Sequence, residues 1–174
     1  MSNQTHTRLD LRELITGAVQ SIPFSGCELS DEERLSFPGL VRFVSVPTAG
    51  GAVRSDAGAL SLSGTIEAEM TCICARCARE FPLKKAVPVH ALLAVELEDE
   101  EDPDYYLLDG QELDLTEVLE DSFIMAMESQ LLCRPDCKGL CCRCGADLND
   151  GPCGCKTDTD PRLAVLEQLL DDKT

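Results

Sequence analysis

The spacing of the cysteines constrains this chain more than any other feature. Eight of its eleven cysteines fall in four close pairs: Cys74-x2-Cys77, Cys133-x3-Cys137, Cys141-x2-Cys144 and Cys153-x-Cys155. A C-x2-C pair puts two thiolates on one turn, pointing the same way, with backbone N–H groups near enough to steady the sulfur charge. Two such pairs complete the tetrahedral shell that zinc prefers. Eleven is an odd number, which a closed disulfide framework does not explain. The first ten residues lack the apolar run of an export signal, so the expected compartment is the reducing cytosol, where dense cysteine spacing points to metal.

Cys141-x2-Cys144 is followed by Gly145, which tolerates a left-handed backbone after the second ligand. Cys153-x-Cys155 is a tighter pair, with Gly154 expected to permit a sharp bend, and together the two make one closed site. Cys74-x2-Cys77 needs partners from elsewhere. Cys133-x3-Cys137 is the unclaimed pair, directly after a helical stretch that can carry it back. The expected partition is two structural zinc ions, one held by Cys74, Cys77, Cys133 and Cys137, the other by Cys141, Cys144, Cys153 and Cys155. Swapped pairings with Cys137 in the second site stay open, and a four-thiolate tetrahedron also accepts iron. Of the remaining cysteines, Cys72 continues the inward parity of a strand, Cys27 is expected to be buried, and Cys142 is expected to be a free, loop-facing thiol.

Unbroken alternation runs through residues 60–71: Leu60, Leu62, Gly64, Ile66, Ala68 and Met70 are apolar or small, and the residues between them are polar. That is the mark of a strand with one buried face. Phe81, Leu83, Val87, Val89, Ala91, Leu93, Val95 and Leu97 share one parity in a second strand. Pro82 and Pro88 cannot donate ladder hydrogen bonds, so this strand is expected at an edge or bulged. The two strands predict a long hairpin with Cys74-Ala-Arg-Cys77 at its tip. Leu40–Val46 reads as a strand stopped by Pro47; Gly50-Gly51 and Asp56-Ala57-Gly58 read as turns. Leu9–Ile15 fits either a strand or one helical turn. Leu115 to about Glu128 predicts a helix capped by Asp114, and a last helix opens at Asp160-Pro161 with a stripe of Leu163, Leu166, Leu169 and Leu170. The expectation is an α+β protein with an antiparallel sheet, a long hairpin and one packed helix. Its core spans 1–130, and 131–174 forms a zinc-knuckle segment with a terminal helix.

Net charge narrows the function. The chain carries -17, which disfavours free adhesion to RNA or to an anionic membrane. Only the stretches Cys72–Lys85 and Cys133–Lys156 are locally basic, with eight Lys and Arg against four Asp and Glu. Two readings fit: those cations balance thiolates, or they form a contact surface for phosphate. No stretch reaches the roughly 18 apolar residues of a membrane span, and an aromatic content of 4% argues against a stacking platform for single-stranded nucleic acid. His6 and His90 neighbour no nucleophile, all-cysteine metal sites are usually closed, and no Walker or dinucleotide glycine motif is present. A non-enzymatic role is therefore expected.

The cysteine string has a family look. Cys74-Ala-Arg-Cys77 followed by Phe81, then Cys133-x3-Cys137-Lys-Gly-Leu-Cys141-x2-Cys144-Gly145, then Asp147-Leu148-Asn149 before Cys153-x-Cys155, and the closing Asp160-Pro161-Arg162-Leu163-Ala164 resemble the YceD family of large ribosomal RNA subunit accumulation proteins. The resemblance implies a cytoplasmic protein that supports synthesis, processing or stability of large-subunit ribosomal RNA, with no catalytic residue to carry over. It also implies two separable cysteine sites, the second dispensable to the fold. The expected partner is the assembling large subunit or a basic ribosomal protein rather than naked RNA, with Glu96–Asp104 (seven carboxylates in nine residues) as the candidate contact. Two other classes compete: a metal-handling or thiol-redox protein, and a zinc-stabilised adaptor unrelated to ribosomes.

Overall fold

Alternating burial along residues 59–73 organises the structure, a computed structural model that describes residues 8–31, 33–56, 58–96 and 105–155. In chain order the elements are β1 (Arg8–Asp10), α1 (Arg12–Ile15), β2 (Ser21–Glu28), β3 (Leu40–Phe43), β4 (Thr48–Asp56), β5 (Ala59–Ile73), β6 (Glu80–Ala94), β7 (Tyr105–Leu107), β8 (Glu112–Asp114) and α2 (Leu115–Met125). Among the described residues this is a mostly antiparallel sheet with few helices, an α+β arrangement.

The central strand is β5. Leu60, Leu62, Ile66, Ala68, Met70 and Cys72 are buried on its inner face. β6 pairs with it antiparallel from Leu60↔Leu93 to Ile73↔Glu80 without a register shift, and contributes Val87, Val89, Ala91 and Leu93 to the same face. The other edge of β5 is shared. β4 pairs along Ala59–Glu67, and β3 takes the far end at Met70–Cys72. β2 extends the sheet beyond β4, and β7 adds in parallel to Leu92–Ala94 of β6. Pro82 and Pro88 lie where, among the described residues, no second strand pairs with β6, so their missing N–H groups disrupt no ladder.

α2 covers the sheet. Asp114 caps it by accepting from the Thr116 N–H at 2.9 Å. Leu115, Val118, Leu119 and Phe123 are buried, and the Phe123 ring meets Phe37 and Phe43 at centroid separations of 6.3 and 6.1 Å. Each such side chain contributes roughly 1.5–3 kcal/mol by leaving water. The helix ends at Met125, short of Glu128, because its last amides tighten: Ala126 N donates to Phe123 O and Met127 N to Ile124 O.

Two local expectations are corrected and an open one is resolved. Gly50-Gly51 is no turn but the interior of β4, where Gly51 pairs with Gly64. A Cβ on Gly51 would press on Ser63 O and lie 2.6 Å from Gly64 Cα; one on Gly64 would lie 2.6 Å from Gly50 O. The pair lacks side chains because backbone from the neighbouring strand occupies their place. The strand at Leu40 stops at Phe43, and Val44 and Val46 beyond it are exposed, since the chain there already bends back to meet Leu29 N at Pro47 O. Leu9–Ile15 divides between the two readings. Arg8–Asp10 pairs with Glu112–Asp114, and Arg12–Ile15 forms one helical turn. The acidic run beyond Glu96 and the helix expected from Asp160 lie outside the described residues.

Candidate metal centres

Two groups of four cysteines stand apart from the hydrophobic core. In the first, Cys74, Cys77, Cys133 and Cys137 bring their sulfurs within 4.8 Å of one another. Cys74 Sγ lies 3.7 Å from Cys137 Sγ, and Cys77 Sγ lies 3.8 Å from Cys133 Sγ. Sulfurs on a tetrahedron about zinc, with Zn–S near 2.3 Å, are about 3.8 Å apart. The second group is Cys141, Cys144, Cys153 and Cys155, again within 4.8 Å. Both donor sets are all-cysteine and convergent, so each fits a closed, four-coordinate soft-metal site; a metal at the first would cross-link segments far apart in sequence, and one at the second would close a local loop.

Local structure explains each first pair. Cys74 and Cys77 occupy the turn between β5 and β6, closed by Cys74 N donating to Arg79 O and Ala78 N to Cys74 O. The second knuckle repeats this: Cys141 N donates to Ala146 O, and Gly145 N to Cys141 O. Gly145 has φ 72°, as its place after the second cysteine led one to expect. Gly154 lies at a bend, as expected, without a left-handed φ, and a Cβ there would meet nothing within 4 Å; the positive φ of that stretch belongs to Gly151, at 147°.

The first group is closed off from solvent, with Cys74, Cys77 and Cys137 buried and Cys133 half-buried. Leu131 delivers the second pair, its carbonyl accepting from Ala75 N at 2.8 Å. Lys138-Gly139-Leu140 then lies against the β5–β6 turn. Leu140 N donates to Arg76 O, Arg76 Nη1 donates to Cys137 O at 2.9 Å, and a Cβ on left-handed Gly139 would sit 2.9 Å from Arg76 O. Glycine in the Cys-Lys-Gly-Leu-Cys string is thus needed for both φ and approach. The second group is more open: Cys141 and Cys153 are half-buried and Cys144 is exposed.

The sulfurs are electrostatically unequal. Burial pushes the Cys74 thiol up, but backbone N–H groups of Cys133, Cys77 and Arg76 outweigh it and bring it to about 6. Backbone N–H groups of Cys144 and Arg143 hold Cys141 at about 6. Cys133 is pushed up to about 12 by burial and by the neighbouring thiols, and Cys155 to about 12, first by its contact with Cys144. Each group thus offers a ready thiolate beside sulfurs that resist ionising next to it, the pattern that a divalent cation resolves by displacing the protons.

Several cations of the cysteine-rich stretches are paired with other groups of the protein. Arg79 Nη2 donates to Asp147 Oδ2 at 2.9 Å and stands 3.7 Å from Asp150, and these two carboxylates raise its pKa. Arg134 donates to Asn149 Oδ1 at 2.7 Å. Lys84 pairs with Glu69, and Lys85 with Glu128. Cys72 and Cys27 are buried in the main core, where burial raises both thiols; Cys142 and His90 are exposed.

Residue-by-residue reading of the sequence missed two features. Asn149 reaches the first cysteine group from the loop of the second, and its Asx position two residues after Asp147 was the available signal. Glu120, on the buried face of α2, is 1% exposed, with Arg34 Nε 3.3 Å away and no hydrogen bond to either carboxylate oxygen. No helix among the described residues is long and apolar enough to cross a membrane.

Comparison with known proteins adds the lineage. The chain is 30% identical over 123 residues to uncharacterised proteins of Mycobacterium tuberculosis and Mycobacterium bovis, covering 68% of this chain and 59% of each of them. It is 28% identical over 146 residues to the Zea mays protein named large ribosomal RNA subunit accumulation protein YCED homolog 1, chloroplastic, covering 65% of this chain and 50% of that one. The chain therefore spans between half and three fifths of the length of these relatives. No solved structure matches it. Residues 62–170, which include both cysteine groups, match the family described as large ribosomal RNA subunit accumulation protein YceD, and the chain belongs to that family.

Proposed function

We propose that this protein is a non-enzymatic, zinc-holding factor of the cytoplasm that supports accumulation of large-subunit ribosomal RNA. The observation that carries the reading is the coincidence of the family match with two convergent four-cysteine groups inside the matched residues. Zinc would be held by Cys74, Cys77, Cys133 and Cys137, and by Cys141, Cys144, Cys153 and Cys155. It supplies cross-linking and charge neutralisation, with no open position for chemistry. In this reading the chain divides into a body, 1–130, and a cysteine-rich segment, 131–174, whose Cys133 and Cys137 meet Cys74 and Cys77 of the β5–β6 turn.

The partner is the assembling large subunit or a basic ribosomal protein. The net charge of -17 repels naked RNA, and Arg76, Arg79 and Arg134 are engaged with groups of the protein itself. This supports the reading in which the local cations balance thiolate charge. Acidic side chains, among them the carboxylates that the sequence gathers at residues 96–104, then meet basic protein. Ribosome profiles from a strain lacking the protein test the role, with a fall in free and assembled large subunits expected. Unchanged large-subunit levels would sink it in favour of an unrelated adaptor. Tight binding of purified protein to bare ribosomal RNA with a steep salt slope would overturn the protein-facing part alone.

A further inference from the structure

The loop Asp147–Asp150 belongs by sequence to the second cysteine group, since it lies between Cys144 and Cys153. In space it is fastened to the first. Asn149 Nδ2 donates to Cys137 Sγ at 3.5 Å, while Asn149 Oδ1 accepts from Lys138 N at 2.9 Å and Arg134 Nη2 at 2.7 Å. Asp147 Oδ1 accepts from both Asn149 N at 2.9 Å and Asn149 Nδ2 at 2.6 Å, which fixes the amide plane. Asp147 Oδ2 accepts from Arg79, two residues after Cys77. Leu148 N completes the seam by donating to Gly139 O at 2.9 Å. Every hydrogen-bonding atom of the Asn149 side chain is therefore used, and one of its N–H bonds points at a sulfur of the other group.

We infer that Asn149 is an outer-sphere positioning residue of the first cysteine group, and that metal binding at the two groups is coupled through its loop. The inference rests on the reading of both groups as metal sites. An N–H donated to a thiolate spreads its charge and orients it, which matters where four thiolates share one dication. Outer-sphere partners of this kind are worth about 10–100-fold in metal affinity. The loop's two ends are anchored by Cys144 and Cys153. A metal at the second group closes that loop and holds Asn149 against Cys137; with the second group empty, the loop must be ordered at the expense of the first site's affinity. Linkage makes the effect reciprocal, so a metal at the first group favours the second by the same factor. The sites are then not the separable pair that the family resemblance implies.

The test uses the full chain, reduced and stripped of metal, titrated with Co2+ against a competing chelator. The sulfur-to-cobalt charge-transfer band reports thiolate coordination, and native mass with Zn2+ gives the stoichiometry. In the Cys153→Ser/Cys155→Ser variant only the first site remains, and its affinity is expected to fall about 10-fold or more below the corresponding wild-type step. Asn149→Ala is expected to keep two metals and weaken one step by about 10–100-fold. Asn149→Asp retains the acceptor for Arg134 and Lys138 but loses the donor to Cys137, and is expected to be as weak as Asn149→Ala. First-site affinity within twofold of wild type in Cys153→Ser/Cys155→Ser overturns the coupling. Wild-type affinity in Asn149→Asp overturns the donor role, and wild-type affinity at both steps in Asn149→Ala overturns it too. Wild-type protein that takes up no Co2+ sinks the metal reading itself, and the coupling with it.

Discussion

Ala78 and Gly145 hold equivalent places in the two knuckles. Each follows the second cysteine of a C-x-Arg-C turn, each has a left-handed φ (55° and 72°), and each donates its amide to the first cysteine's carbonyl at 2.9 Å. One position is filled by the residue that suits that conformation and the other is not. A left-handed non-glycine residue costs roughly 1–2 kcal/mol, partly offset by the greater freedom that glycine has in the unfolded chain. Ala78→Gly is therefore expected to stabilise the protein by about 0.5–1 kcal/mol, and Gly145→Ala to destabilise it by a similar amount. Urea unfolding in the same metal state reads both. A lowered midpoint for Ala78→Gly would mean that the turn does not carry this strain.

The Gly51–Gly64 pair makes a second, sharper prediction. Each missing Cβ would fall on backbone, which cannot swing aside as a side-chain end can. Gly51→Ala and Gly64→Ala are each expected to cost about 1–3 kcal/mol. Gly154→Ala is the control, because its site is open and its φ ordinary; it should stay within about 0.5 kcal/mol of wild type. Equal melting temperatures for all three variants would refute the close-approach account.

Cysteine reactivity should follow pH unequally in reduced, metal-free protein. Cys141, held at about 6 by backbone N–H groups, gains thiolate as pH rises through that value. Cys155, pushed up to about 12, stays a thiol until strongly alkaline pH. Iodoacetamide labelling resolved by peptide mass between pH 5 and 9 should show Cys141 half-activated near pH 6 and Cys155 lagging throughout. Added Zn2+ should protect both, since the thiolate is the metal ligand. A common midpoint for the two cysteines, near that of a free thiol, would count against the N–H account.

Glu120 should give the fold a pH slope. Burial raises its carboxyl above the ordinary value, and Arg34 opposes this only in part. A raised carboxyl means that the folded chain holds its proton more firmly than the unfolded chain. Stability from this group is thus present below the unfolded carboxylate value and declines as pH rises through the folded one. Glu120→Gln should remove that decline and melt higher than wild type at neutral pH. Melting curves for the two proteins between pH 4 and 8 decide it, and parallel profiles would show that the charge costs nothing where it sits.

Much of the framework was legible because it is local. Alternation from Leu60 to Met70 named the buried face of β5, since side chains point to opposite faces in turn whatever the neighbouring strands are. Asp114 announced α2 through a cap closed within two residues. The cysteines sorted into the two groups the structure brings together because each pair lies on its own turn, and the helix after β8 leaves Cys133 and Cys137 free to return to the β5–β6 turn. What only the tertiary structure decided depends on segments meeting that are distant in the chain. It placed Gly50-Gly51 inside a strand rather than at a turn, because an adjacent backbone fills the space. It buried Glu120 beside Arg34, and it set Asn149 of one knuckle against Cys137 of the other. Residue spacing records which side chains share a turn or a face, whereas which face meets which is settled when the whole sheet closes over its core.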